Sequence, residues 1–197
     1  TYYGGTGTDV SRNCATDGSG NIYLSGYTSS TTNISTNSSH QTIYGGGIYD
    51  AFLVKFNANG VRQWGTYYGG TNSSATADYD WANGCTTDGN GNVYLAGGTV
   101  SLTNIATTGS HQSAHGGGSN YYDCFLVKFN TNGVRQWGTY YGGAGDDIAC
   151  YPSISDVNGY VYLPGYTSST TNISTNSSHQ TIYGGGTYDA LLVQFNS

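Results

Sequence analysis

The chain has 197 residues, enough for one domain with a substantial core, and 36% of them are apolar. Only 8% are charged; five Lys and Arg against 11 acidic residues, every one an Asp, give a net charge of −6. Scattered bases of that number leave no cationic footprint for nucleic acid, and no apolar run approaches the ~20 residues of a membrane-spanning helix.

Twenty Tyr and 32 Gly beside abundant Ser, Thr and Asn describe many short strands joined by turns. The chain opens on TYYGG (1–5), which returns at 66 and 139. A first strand is expected near 12–16, 84–87 and 153–155, followed by the turns DGSGN, DGNGN and DVNGY that start at Asp17, Asp88 and Asp156. Second strands follow, centred on Tyr23, Tyr94 and Tyr162. Next comes a polar excursion; 27–47 and 166–186 are identical, and 98–118 has diverged.

The clearest pattern is the stretch 52–70, FLVKFNANGVRQWGTYYGG, repeated at 125–143 with one change, Ala58 to Thr131. Phe52, Val54 and Phe56 alternate with Leu53 and Lys55, and an Asn-Gly pair closes the turn, so the stretch predicts a β-hairpin. The chain ends on the head of this hairpin, LLVQFNS, and begins on its tail. Three units result, 6–70, 71–143 and 144–197, with strand 1–5 apart. Four short strands per unit with Gly-rich punctuation predict an all-β protein of three four-stranded antiparallel propeller-type blades. The last blade lacks its outermost strand, which the N-terminal strand of the same or a neighbouring chain would supply. Thr1, Tyr2 and Tyr3 are the expected donor, and Leu191, Leu192, Val193 and Phe195 the open edge.

Taken together, TYYGG, the DGSGN turn, NIYLSGYTSST and YDAFLVKFN-NG resemble the bacterial extracellular β-propeller repeat family of SBBP type, over essentially the whole chain. The resemblance implies an extracellular or cell-surface protein and supplies no catalytic residues. No Met is present, so residue 1 is not a translation start; either a targeting segment has been removed or the chain is an excerpt of a longer one. Secretion also suits four cysteines. Cys14 and Cys85 are equivalent, with Ser153 in their place in the third unit; the expected disulfides are Cys14–Cys85 and Cys124–Cys150.

Asn33, Asn37, Asn72, Asn172 and Asn176 stand in N-x-S/T triplets and are glycosylation candidates, although the Ser/Thr clusters suit O-linked decoration better. His40, His111 and His179 share an SHQ position and His115 is extra; they are expected to bond within their own loops and hold no metal. One carboxylate per turn is too few for a calcium cage, and no base or nucleophile accompanies the Asp pairs 78/80 and 146/147. The expectation is therefore a secreted, non-enzymatic structural or adhesive surface protein without cofactors. It would assemble with copies of itself into a ring or filament. The alternative is a carbohydrate-binding module whose partners are glycans.

Overall fold

The computed structural model describes residues 1–71, 78–117, 121–155 and 159–196, among which there is no helix. Strands β1 (Asp9–Thr16), β2 (Ile22–Thr28), β3 (Asp50–Phe56) and β4 (Arg62–Tyr68) form a first antiparallel sheet in sequential order. A second repeats it with β5 (Asp80–Thr87), β6 (Val93–Thr99), β7 (Asp123–Phe129) and β8 (Arg135–Tyr141). In the third sheet β11 (Tyr160–Thr167) pairs with β12 (Asp189–Asn196) on one side; two short strands, β9 (Asp147–Ala149) and β10 (Ser153–Ser155), share its other side. This sheet is three strands wide.

The turns form as their residues dictate. Asp17 Oδ1 accepts from the N–H of Ser19 and Asn21 at 2.9 and 3.0 Å, and Asp88 does the same for Asn90 and Asn92. The Asn-Gly hairpin turns work alike, Asn57 and Asn130 bonding the N–H groups of Val61 and Val134 while Gly60 and Gly133 take positive φ. Asp156 lies outside the described residues.

In the first two units the first strand starts three or four residues before the expected place, because its alternation is broken, whereas in the third β10 lies at 153–155 as expected and β9 precedes it. Register shifts between Ser11 and Asn13 and between Ala82 and Gly84 mark bulges that hide the period of two. In the third sheet the interruption widens into the gap between β9 and β10. Ser153 pairs with Tyr162 as Ala15 pairs with Tyr23, so Pro152, not Ser153, occupies the position of Cys14 and Cys85. A proline has no N–H for the ladder, and the strand splits there.

Each sheet packs on the next. Tyr23, Leu53, Trp64 and Tyr68 from the first meet Leu95, Phe125, Val127 and Phe129 of the second. On the opposite face of the second, Tyr94, Ala96 and Leu126 meet Val161, Leu163 and Leu191 of the third. The middle sheet is covered on both faces, which is why β6 and β7 are buried almost along their whole length. A third, smaller cluster, Ile34, Phe52, Val54, Phe56 and Tyr67, lies on the outward face of the first sheet.

Candidate functional site

The site begins with the polar excursions, whose role the sequence did not disclose. In the first unit the excursion lies along the outer edge of β4 and bonds it as a strand would. Thr36 N–H donates to Gly65 O at 2.9 Å, Gln41 N–H to Thr66 Oγ1 at 2.9 Å, and Tyr67 N–H to Gln41 O at 3.2 Å. Gln41 Oε1 accepts from Gly69 N–H at 3.1 Å. The second unit repeats all four contacts with Thr107, Gln112, Gly138, Thr139, Tyr140 and Gly142, at 2.9 to 3.1 Å. An edge that would invite foreign strands is thereby satisfied.

The third unit has the excursion but not the strand. Its loop keeps two internal bonds of the other units, Ser178 N–H to Thr175 O at 3.1 Å and Gln180 Nε2 to Ile182 O at 2.8 Å, and a third that the first unit makes from Ser35, Ser174 Oγ to Thr181 O at 2.9 Å. Between this loop and β12 runs a groove of about 650 Å³, lined by Ile173, Ser174, Gln180, Asp189, Ala190 and Leu192. It is the place that Gly65–Gly69 and Gly138–Gly142 fill in the other units. Leu192 is 72% exposed, whereas its equivalents Leu53 and Leu126 are fully buried. Leu191, Val193 and Phe195 face the other way, into the core shared with the middle sheet. Of the β12 residues named from sequence, only Leu192 presents its side chain to the open face.

Residues 1–5 form no strand and do not lie on β12, so closure of the last sheet within one chain, allowed by the sequence, is not what the structure adopts. They dock on the first sheet instead. Tyr3 Oη donates to Ile34 O at 2.5 Å, its ring lies 5.4 Å from Phe52 and 5.8 Å from Phe56, and Gly5 N–H donates to Asp9 at 2.9 Å. Tyr68 bonds Ile105 O, packs against the rings of Phe125 and Phe129, and is followed by Gly70 N–H on Asp80. Tyr141, Ile173, Phe195, Gly143 and Asp147 form the third instance. Residues 3–5 thus sit on the first sheet as the end of a fourth strand sits on the sheet after it. Thr1 and Tyr2 project away. Tyr67 and Tyr140, the equivalents of Tyr2, donate to the carbonyls of Ser30 and Ser101 in their own sheets, but Tyr2 is fully exposed. The corresponding carbonyl in the third sheet is that of Ser169, on the wall of the empty groove.

The other residues named from sequence fall elsewhere. All four cysteines are free thiols, which corrects the disulfide expectation. Cys85 is buried between the first two sheets, against Asn13 and the Tyr23 carbonyl. Cys14 neighbours Asn13 along β1, so the pleat turns it to the opposite face, and one sheet thickness separates the two sulfurs. Cys124 is fully buried and Cys150 half-buried, with no bond between them; burial drives the Cys124 thiol well up, and Cys150 adds to the shift.

Asn33, Asn37, Asn172 and Asn176 are exposed on the excursions, and Asn72 lies outside the described residues. Asn33 and Asn172, with Asn104, take positive φ of 65–67°, a conformation asparagine tolerates. His40, His111 and His115 pack on aromatic rings rather than bonding within their own loops as expected, and His179 is exposed on the groove. His40 lies against Tyr68 and Phe129, where burial pushes its pKa down to about 4, and His111 stacks on Tyr141. Among the described residues no three His, Cys or Asp side chains are placed to hold a metal ion, and none of the helical spans that cross membranes is present.

What the arrangement can do chemically is accept a strand. The groove offers the β12 edge on one side and, on the other, Gln180, whose counterparts Gln41 and Gln112 bond the fourth strands of the first two sheets. The chain matches no protein-family model and no curated protein.

Proposed function

We propose that the protein is a non-enzymatic structural component that assembles head to tail with copies of itself. The TYYGG segment of one copy completes the third sheet of the next, and the three sheets act as propeller-type blades, extracellular as the repeat resemblance implies. The observation that carries this reading is a shared half-site. The groove beside β12 lacks the strand its two counterparts hold, and residues 1–3 carry the sequence of that strand, with Tyr2 extended into solvent. Following the β3–β4 register, Tyr3 would face Ala190, Tyr2 would face Leu191 and Thr1 would face Leu192 of the neighbouring copy. Pairing of this heterologous kind closes into a ring where the rotation permits and otherwise extends into a filament. The first sheet's outward cluster would pack on the exposed face around Leu192 as the second sheet packs on the first.

Sedimentation and electron microscopy of the full chain beside Tyr2→Ala and a version lacking residues 1–5 test the reading. Tyr2 touches nothing in its own molecule that folding needs, so its replacement separates assembly from stability. Oligomers or filaments from the full chain that disappear in both variants, and that a Gly-Thr-Tyr-Tyr-Gly-Gly peptide dissolves, are the expected result. A full chain that stays monomeric, or assemblies indifferent to both changes, would overturn it. In the latter case binding to immobilised polysaccharide becomes the reading to pursue.

A further inference from the structure

Four of the five buried side-chain atoms that lack a hydrogen-bond partner, among the described residues, gather at the two junctions between sheets: Asp50 Oδ1 at one, and Asp123 Oδ1, Asp147 Oδ1 and His115 Nδ1 at the other. At the first junction Asp50, opening β3, meets Asp80, opening β5 of the next sheet, across Gly69. A Cβ on Gly69 would stand 2.8 Å from Asp50 Oδ1 and 2.7 Å from Asp80 Oδ2. Asp80 is fully served, by Gly70 N–H at 3.0 Å, Ser101 Oγ at 2.7 Å and Thr99 Oγ1. Asp50 Oδ2 accepts from Gly45 N–H at 2.6 Å and Gln41 Nε2 at 3.2 Å, which leaves Oδ1 turned toward Asp80 with no donor.

The second junction is built alike. Asp123 Oδ1 and Asp147 Oδ2 would lie 2.6 and 2.8 Å from a Cβ on Gly142, and Asp123 Oδ2 accepts from Gly116 and Gln112. Here His115 replaces the Tyr44 and Tyr183 of the other units and brings Nδ1 to 3.6 Å from Asp123 Oδ1. At 3.6 Å the two do not hydrogen-bond, and burial lowers the His115 pKa, so the ring supplies no cation to the pair. The groups facing Asp50 are Asp78 and Asp80 beside β5, Tyr44 on the excursion and Tyr67 on β4; those facing Asp123 are Asp147, His115, Tyr140 and Cys124.

Two carboxylates buried together with no cation cannot both stay ionised at low cost, and a proton on the orphaned oxygen supplies the missing donor. Burial first, then Asp80 and Asp78, push Asp50 up to about 8, and burial with Asp147 pushes Asp123 up to about 7. We propose that each junction between sheets holds one proton shared by its acid pair, and that joining two copies builds a third pair from Asp189 of one and Asp9 of the next, so that assembly takes up a proton. The second half rests on the strand-completion reading. Each acid already has its half of the setting. Asp189 accepts from Gly184 N–H at 2.5 Å, as Asp50 does from Gly45. Asp9 accepts from Gly5 N–H and Ser30 Oγ, both at 2.9 Å, faces Tyr3 and Tyr67, and has Gly4 against its carboxylate.

The sign follows from the direction of the shift. A carboxyl whose pKa is raised by folding stabilises fully below its unfolded value of 3.8, and that stability is lost as pH rises to about 8 for Asp50. His40, lowered to about 4, changes stability in the opposite sense below pH 6.5, so the window to read lies between about pH 6.5 and about pH 8, above the range of His40 and below the folded value of Asp50. The test uses the Tyr2→Ala chain for stability and the native chain for association, each between about pH 6.5 and about pH 8. Urea unfolding of the unassembled chain is expected to show a folding constant falling by up to about tenfold per pH unit for each proton lost. Asp50→Asn and Asp123→Asn should flatten that slope, and association of the native chain should weaken with pH unless Asp189 is Asn. A pH-independent midpoint, unflattened slopes in the Asn variants, or restoration at alkaline pH by calcium in place of protons would each overturn the shared proton. Should the slope appear while the native chain never associates, strand completion fails and only the intermolecular pair falls with it.

Discussion

Phe129→Ala is expected to lower the free energy of unfolding by about 3–5 kcal/mol, a large part of the ~5–15 kcal/mol typical of a domain. The ring is fully buried between the first and second sheets, with Tyr68, Trp64 and His40 at centroid distances of 6.0, 6.5 and 5.8 Å. No neighbour can collapse into the space, because Tyr68 is itself held by its bond to the Ile105 carbonyl. Phe56 is the same residue one sheet earlier, but it lies on the outward face of the first sheet, where Tyr3 is its ring contact among the described residues. Phe56→Ala should therefore cost visibly less, and urea denaturation of the two variants checks the difference. Sheets that touch only their neighbours behave as nearest-neighbour units. The Phe129 variant should accordingly split the transition, the first sheet melting before the other two; equal losses in both variants would contradict this account of the stacking.

Gly142→Ala is the second large effect. Its Cβ would stand within 2.8 Å of both Asp123 and Asp147 carboxylate oxygens, closer than packed atoms allow. Forcing them apart costs about 1–3 kcal/mol by overpacking, and it also breaks the setting of the shared proton. Gly18→Ala, in a turn where a new Cβ meets nothing within 4 Å, is the control and should stay within ~0.5 kcal/mol. Thermal unfolding of the pair measures it, and a neutral Gly142→Ala would mean that the two acids are not held against that backbone.

The strands were legible because their signal is local. Phe52, Val54 and Phe56 alternate, the Asp-Gly and Asn-Gly turns carry their own bonds, and each unit repeats them. Where a bulge interrupts the alternation, at Arg12 and Asn83, the strand start was misplaced, since period and register are the same information. The cysteines show the limit of reasoning by neighbourhood. Cys14 and Cys85 occupy equivalent strands of adjoining sheets, yet equivalence itself makes them point the same way, so a sheet stands between them.

The excursions and the in-register Asp residues carry the sharper lesson. Ser/Thr/Asn-rich segments read as decorated surface, but Gln41 and Gln112 use them to cover a strand edge; nothing within the loop announces a partner some 25 residues further on. Asp17 and Asp88 fix turns, as their position before Gly predicts. Asp50 and Asp123 look identical in composition and instead meet an acid from the following sheet. By itself the sequence determined the repeated strands and turns, because these depend on dihedral preference and on a period of two. Only the tertiary structure decided which faces stack, where residues 1–5 rest and which carboxylates meet. Those outcomes depend on burial and charge between groups distant in the chain, and no local pattern encodes them.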